Sequence, residues 1–221
     1  MARKQTIFDV ISTGDPARVR RKLARDPAAL GERDENGLSP VMRALYEAKP
    51  DIVDVLLEKG AELDLFEAAA LGRTELLGKL VGRSKRRAGG YSSDGFTPLH
   101  LAAFFGHPKV AELLLANAAD ATARSRNSTG NTPLHAALAA NQKLVAGLLI
   151  GSGADLNAAD AAGWRPLHLA AANNSVDVMK TLIAQGADVS VNNGDGLTAL
   201  ALAEKRNHRE AAALLQRHGA A

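Results

Sequence analysis

Apolar and polar positions along this chain follow short helical periods rather than the strict alternation of strands. Val110-Ala111-Glu112-Leu113-Leu114-Leu115 gives one helix a continuous apolar face. Upstream, Thr97 offers a hydroxyl suited to capping a helix start. Pro98 follows it, at a first-turn position where a missing N–H costs nothing. Gly106 stands where that first helix must stop and reverse. The same order returns with Thr132-Pro133 and Ser39-Pro40, while Gly60, Gly153 and Gly186 close the second helices. The pattern predicts short antiparallel helix pairs, each preceded by a projecting turn. No pair can bury its apolar face alone, so neighbours must stack.

The unit recurs at a nearly fixed period. DGFTPLHLAA (94–103) has copies in GNTPLHAA (130–137) and GWRPLHLAA (163–171), and worn copies in GLTALA (196–201) and GLSPVMRA (37–44). Glycines 95, 130, 163 and 196 are spaced by 35, 33 and 33 residues. LLEKGAEL (56–63), LLIGSGADL (148–156), TLIAQGADV (181–189) and LLQRHGA (214–220) form a second recurring element. These motifs resemble the ankyrin repeat, whose signature is TPLHxA at about 33 residues. The resemblance covers essentially the whole chain. It is strongest to standalone bacterial ankyrin proteins around LFEAAALGRTELL and DGFTPLHLAAFFGHPKV. It implies an all-α solenoid, a single domain of about seven helix-pair units at 5–30, 34–62, 63–90, 91–123, 127–158, 160–191 and 193–221.

Local departures are visible. Residues 5–30 read as a helix pair without a preceding turn. Residues 63–81 read as a pair lacking both TPLH and its turn, with Phe66 near the usual place of the histidine. Ala118 replaces a closing glycine, at a cost of up to about 1 kcal/mol if a left-handed residue is still needed there. Arg165 replaces a capping threonine.

Composition changes this picture little. The chain has 221 residues, is 46% apolar and carries a net charge of +3. Aromatics are only 4%, which suits helices packed through small side chains. With no cysteine, disulfides, thiolate nucleophiles and cysteine zinc sites are excluded. No stretch approaches the roughly 18 apolar residues of a membrane span, and the N-terminus lacks a signal-peptide apolar run. The expectation is a soluble, cytoplasmic protein.

Histidines 100, 135 and 168 fall at one place in successive units. A catalytic site needs one base, not a row of them, and an imidazole can bond backbone on both sides. The resemblance makes them structural. GRTELLGKL (72–80) imitates a phosphate loop, but it has one residue too many and Leu80 where magnesium needs a hydroxyl. Asn192–Gly196 lacks the spacing and closing glutamate of a calcium loop. No catalytic residue, cofactor or metal site is assigned, and the expected class is non-enzymatic.

The resemblance implies that partners meet the concave side, formed by the turns and first helices. The exposed places there are the residue after the turn glycine and the two residues ending the first helix. Five of the chain's eight aromatics, Tyr46, Phe96, Phe104, Phe105 and Trp164, occupy such places, and Tyr91 adjoins them. Asn131, Asn173, Lys205 and Arg206 complete the candidate site for another protein. An inhibitor or immunity protein covering an enzyme's active site is one such use. Phe96 and Trp164 packing on neighbouring turns, and Phe104 or Phe105 filling the gap of the absent turn, is the plainer alternative. A basic loop, Arg83, Lys85, Arg86 and Arg87 with Arg124 and Arg126, is the competing feature. It would attract an acidic partner or nucleic acid, or it is a solvated connection.

Overall fold

The computed structural model describes residues 5–82 and 88–220, and among them the regular structure is helical, with no strand. The chain forms two compact units, Met1–Glu67 and Ala68–Ala221.

In the first unit, α1 (Ile7–Ser12) pairs with α2 (Pro16–Arg25), and α3 (Pro40–Tyr46) with α4 (Pro50–Glu58). Helix α1 packs on α3 and α2 on α4, which buries Ile7, Ile11, Ile52 and Leu56 completely. Thr6 and Asp9 cap α1 reciprocally: the Asp9 N–H donates to Thr6 Oγ1, and the Thr6 N–H donates to the Asp9 carboxylate at 2.7 Å.

Helix α5 (Leu65–Ala70) follows α4 after residues 59–64 alone, a connection too short for a projecting turn. Its start shows what stands at the histidine position. Asp64 Oδ1 accepts from the Phe66 and Glu67 N–H groups, and Glu67 Oε2 accepts the Asp64 N–H at 2.7 Å. Glu67, not Phe66, is therefore the equivalent of the histidine. It is buried, and its other oxygen takes the Ser39 hydroxyl. Burial raises the Glu67 pKa above the ordinary glutamate value, although both hydrogen bonds pull the other way.

The second unit contains α6 (Thr74–Gly82), α7 (Pro98–Phe105), α8 (Pro108–Ala116), α9 (Pro133–Ala139) and α10 (Lys143–Gly151). It continues through α11 (Pro166–Ala172), α12 (Val176–Ala184), α13 (Ala199–Lys205) and α14 (Arg209–Arg217). Helices α7, α9, α11 and α13 pack in series as one layer, and α6, α8, α10, α12 and α14 as the other. Alanine makes the first layer possible. Ala102, Ala103, Ala137, Ala170, Ala171 and Ala203 are fully buried. Side chains this small let backbones approach without leaving voids.

The projecting turns pair at their tips. The Arg126 N–H donates to Gly95 O at 2.8 Å, Ala161 to Thr129 O at 2.9 Å and Gly194 to Ala162 O at 2.9 Å. A Cβ on Gly163 would stand 2.7 Å from the Gly194 nitrogen, so this approach requires glycine. Ala118 keeps the left-handed conformation, with φ 64°, that Gly60, Gly153 and Gly186 adopt in the same place. The phosphate-loop imitation is dispersed: Gly72 lies between α5 and α6, while Gly78 and Lys79 are inside α6.

Candidate functional site

The three TPLH-type histidines are built into the stack. The Thr97 N–H approaches His100 Nδ1 at 3.3 Å, and His100 Nε2 lies 3.0 Å from Asn131 O in the next turn. The same pair of contacts joins His135 to Thr132 N (3.3 Å) and Trp164 O (2.9 Å). It joins His168 to Arg165 N (3.0 Å) and Val191 O (3.0 Å). These neighbours fix one tautomer: Nδ1 accepts an amide proton and Nε2–H donates to a carbonyl. A second proton on Nδ1 would face an N–H. Burial pushes His100 down to about 4 and lowers His135 and His168 as well, although each bond to the next turn's carbonyl pulls the other way. All three are 1% exposed, so none reaches a substrate. Arg165, in place of threonine, bonds Asn157 O at 2.8 Å through its guanidinium, and the His168 contact still forms through the Arg165 backbone.

A second set of bridges runs the opposite way, and the sequence did not disclose it. Side chains near the start of one pair's second helix bond carbonyls at the end of the preceding first helix. In the first unit Lys49 Nζ reaches Ile11 O (2.8 Å). In the second unit His107 Nε2 reaches Ala70 O (2.8 Å), Gln142 Nε2 reaches Phe104 O (3.4 Å) and His208 Nδ1 reaches Ala171 O (3.1 Å). These acceptors are the last-turn carbonyls that a helix leaves without intrahelical partners. Lys, His and Gln share only a donor group on a reach of suitable length, so no single residue type marks the position.

Two of the predicted partner residues make similar bridges from the end of their own first helix. Asn173 Nδ2 donates to Leu138 O at 2.6 Å, and the Arg206 guanidinium to Ala172 O at 2.8 Å. Tyr91 is also occupied. Its hydroxyl donates to Arg124 O at 3.1 Å, and the Arg126 guanidinium stacks 3.9 Å over its ring. Arg124 itself donates to Gly130 O and Ala159 O at 3.0 and 2.7 Å, so it braces two turns. Arg83, Lys85, Arg86 and Arg87 lie outside the described residues.

Of the remaining predicted residues, Tyr46 ends α3 in the first unit and is 37% exposed. The others belong to the second unit. Phe96 and Trp164 are half-buried beside the histidines of their own units, with ring centroids 5.8 Å from His100 and 6.2 Å from His168. Phe104 is 43% exposed and meets half-buried Phe105 edge-on at 5.2 Å. The Asn131 carbonyl serves His100. Lys205 is exposed. A groove of about 400 Å³ lies between the 160–164 turn and the first-helix layer. Trp164, Asn173 and Arg206 line it, together with Ala139, Leu169 and Ala172, which form its floor. Asp160 and Ala162 complete it from the turn.

Stacked pairs of short helices with tip-paired turns and capping histidines define a helical repeat protein of the interaction-module class. The chain belongs to the ankyrin repeat family: the model for ankyrin repeats (3 copies) matches residues 65–160 and 138–221. Its fold is accordingly an all-α ankyrin solenoid. Ankyrin repeats are general protein–protein interaction modules and typically non-enzymatic. The chain is also 32% identical over 101 residues to alpha-latrocrustotoxin-Lt1a of Latrodectus tredecimguttatus. That match covers 42% of this chain but only 7% of the relative's length. Among the described residues, no helix is long and apolar enough to cross a membrane. None of their His, Asp and Glu side chains gather into a metal-binding group.

Proposed function

We propose that the chain is a non-enzymatic docking module whose partner protein lies against the turns and first helices of the second unit. The observation that carries this is Phe104. It lies in the last turn of α7 with 43% of its surface exposed, at the place where α9 and α11 carry Ala139 and Ala172. An exposed aromatic in the same helix layer as a groove with an alanine floor and an indole wall is the composition of an interaction anchor. The face is preformed by the two sets of bridges, so a partner would dock without the cost of ordering loops. Covering an enzyme's active site, as an inhibitor or immunity protein does, is one use of such a face.

The test compares affinity capture by the native chain with capture by Phe104→Ala and Ala139→Arg. Leu144→Ala, which removes an 80%-exposed leucine from the other helix layer, is the control. Loss of the same captured proteins in the first two variants and their retention in the third supports this face. An unchanged capture profile in all three rules it out.

A further inference from the structure

The groove beside Trp164 has a charge pattern set by the turn chemistry around it. Each projecting turn opens on a side chain that must accept backbone N–H groups. Asp160 Oδ1 accepts from Ala162 and Trp164 at 2.9 and 2.8 Å. In the neighbouring turns neutral groups do the same work. Ser125 accepts the Asn131 N–H at 3.1 Å, and Asn193 accepts the Asp195 and Leu197 N–H groups at 3.0 and 2.9 Å. Asp160 is therefore the one carboxylate lining the groove, and its Oδ1 is engaged by the turn. The helices beneath it bring no charge, because α7, α9 and α11 contain none of Asp, Glu, Lys or Arg. Charges appear where α13 ends, as Glu204, Lys205 and Arg206, and Glu204 accepts from Gln216 of α14 at 3.3 Å. Arg206 lines the groove, using one nitrogen for Ala172 O and leaving further N–H donors for a ligand. Lys205 beside it is exposed, and among the described residues no carboxylate pairs with it.

We infer that this groove receives an acidic polypeptide segment carrying one apolar side chain. The inference rests on the docking reading above and names the chemistry of the partner. The apolar side chain lies on Ala139, Leu169 and Ala172 against the Trp164 indole. Carboxylates next to it in sequence meet Arg206, whose planar guanidinium accepts them side-on, and Lys205. Such charges steer encounter and select partners more than they add affinity, so binding should weaken with salt.

Trp164 is the only tryptophan in the chain, so its emission reports on the groove directly. The probes are three short peptides free of aromatic residues: glutamate-rich with a central leucine, the same with serine for leucine, and lysine-rich with a central leucine. The first should shift Trp164 emission saturably, and the other two should bind several-fold more weakly or not at all. Lys205→Glu should weaken the first peptide several-fold and improve the third. Arg206→Gln, which keeps a donor for Ala172 O, should also weaken the first. The inference is overturned if the lysine-rich peptide binds as well as the glutamate-rich one, if Lys205→Glu changes nothing, or if no peptide shifts the emission. A lysine-rich or serine peptide that binds and is lost in Ala139→Arg would sink the acidic assignment and leave the docking face standing. Failure of the docking reading is seen separately, in the unchanged capture profile of Phe104→Ala and Ala139→Arg.

Discussion

Removing His100 should change how stability depends on pH, not only how large it is. Unfolded, its imidazole titrates near 6.5; folded, burial among Thr97, Asn131 and the alanines holds it at about 4. The folded pKa is depressed, so the neutral ring contributes stability that is complete above pH 6.5 and is lost as pH falls toward 4. A displacement from 6.5 to about 4 corresponds to roughly 3 kcal/mol over the window. Between those limits His100 adds a slope of about 1.4 kcal/mol per pH unit. His135 and His168 are shifted in the same direction and steepen it. Glu67 opposes them: its folded pKa is raised, so its contribution is full below the ordinary glutamate value and fades as pH rises. The assay is urea unfolding followed by far-UV circular dichroism at several pH values from 7.5 down to 5. His100→Gln loses the Asn131 and Thr97 contacts and should be destabilised by about 1–3 kcal/mol at neutral pH. Its diagnostic is the slope, which should fall by about 1.4 kcal/mol per pH unit relative to the native chain. An unchanged slope, or a native chain that gains stability on acidification from 6.5 to 5, would refute the account of a buried neutral imidazole.

Further outcomes follow from the turns and caps, each read from urea midpoints. Ala118→Gly relieves a left-handed alanine whose methyl is exposed, and should stabilise by about 0.5–1 kcal/mol. Ala213→Gly, in the exposed interior of α14, should instead cost about 1 kcal/mol. Gly163→Ala introduces a Cβ 2.7 Å from the Gly194 nitrogen at φ 75° and should destabilise by about 1–3 kcal/mol. Ser39→Ala removes both the cap on the Met42 N–H and the donor to buried Glu67, a loss of about 1–3 kcal/mol.

The architecture was legible because its determinants are local and repeated. Thr97, Pro98 and Gly106 each specify a backbone event within one turn of helix, and the period of the glycines carries that event along the chain. Where the repeat was worn, the same logic came only near the position. Phe66 marks the neighbourhood of the histidine's place and not the place itself, because the Pro-Leu-His anchor is missing there. Register there is set instead by Asp64, which caps α5 and places Glu67 three residues on. A carboxylate and an imidazole can fill one structural position because each reaches back to the N–H at the helix start. The carboxylate accepts Ser39, whereas the imidazole donates to the next turn.

The face was less legible, for a reason that bears on repeat proteins generally. Sequence places a side chain on a surface, but it does not say whether that side chain is free. Asn173 and Arg206 are at positions where the sequence predicts a partner, yet both are recruited to last-turn carbonyls of a neighbouring helix. Tyr91 and Arg126 are similarly turned on each other. Arg206 shows that recruitment and availability are not exclusive, because a guanidinium can hold Ala172 O and still present donors to the groove. An asparagine held by a 2.6 Å bond has far less to spare. The side chains left for a partner are therefore those whose atoms the stack cannot use. Phe104 offers no hydrogen bond, and Lys205 makes no ion pair among the described residues. That is why binding by this face should depend on Phe104, Lys205 and the spare donors of Arg206 rather than on the full row of exposed positions.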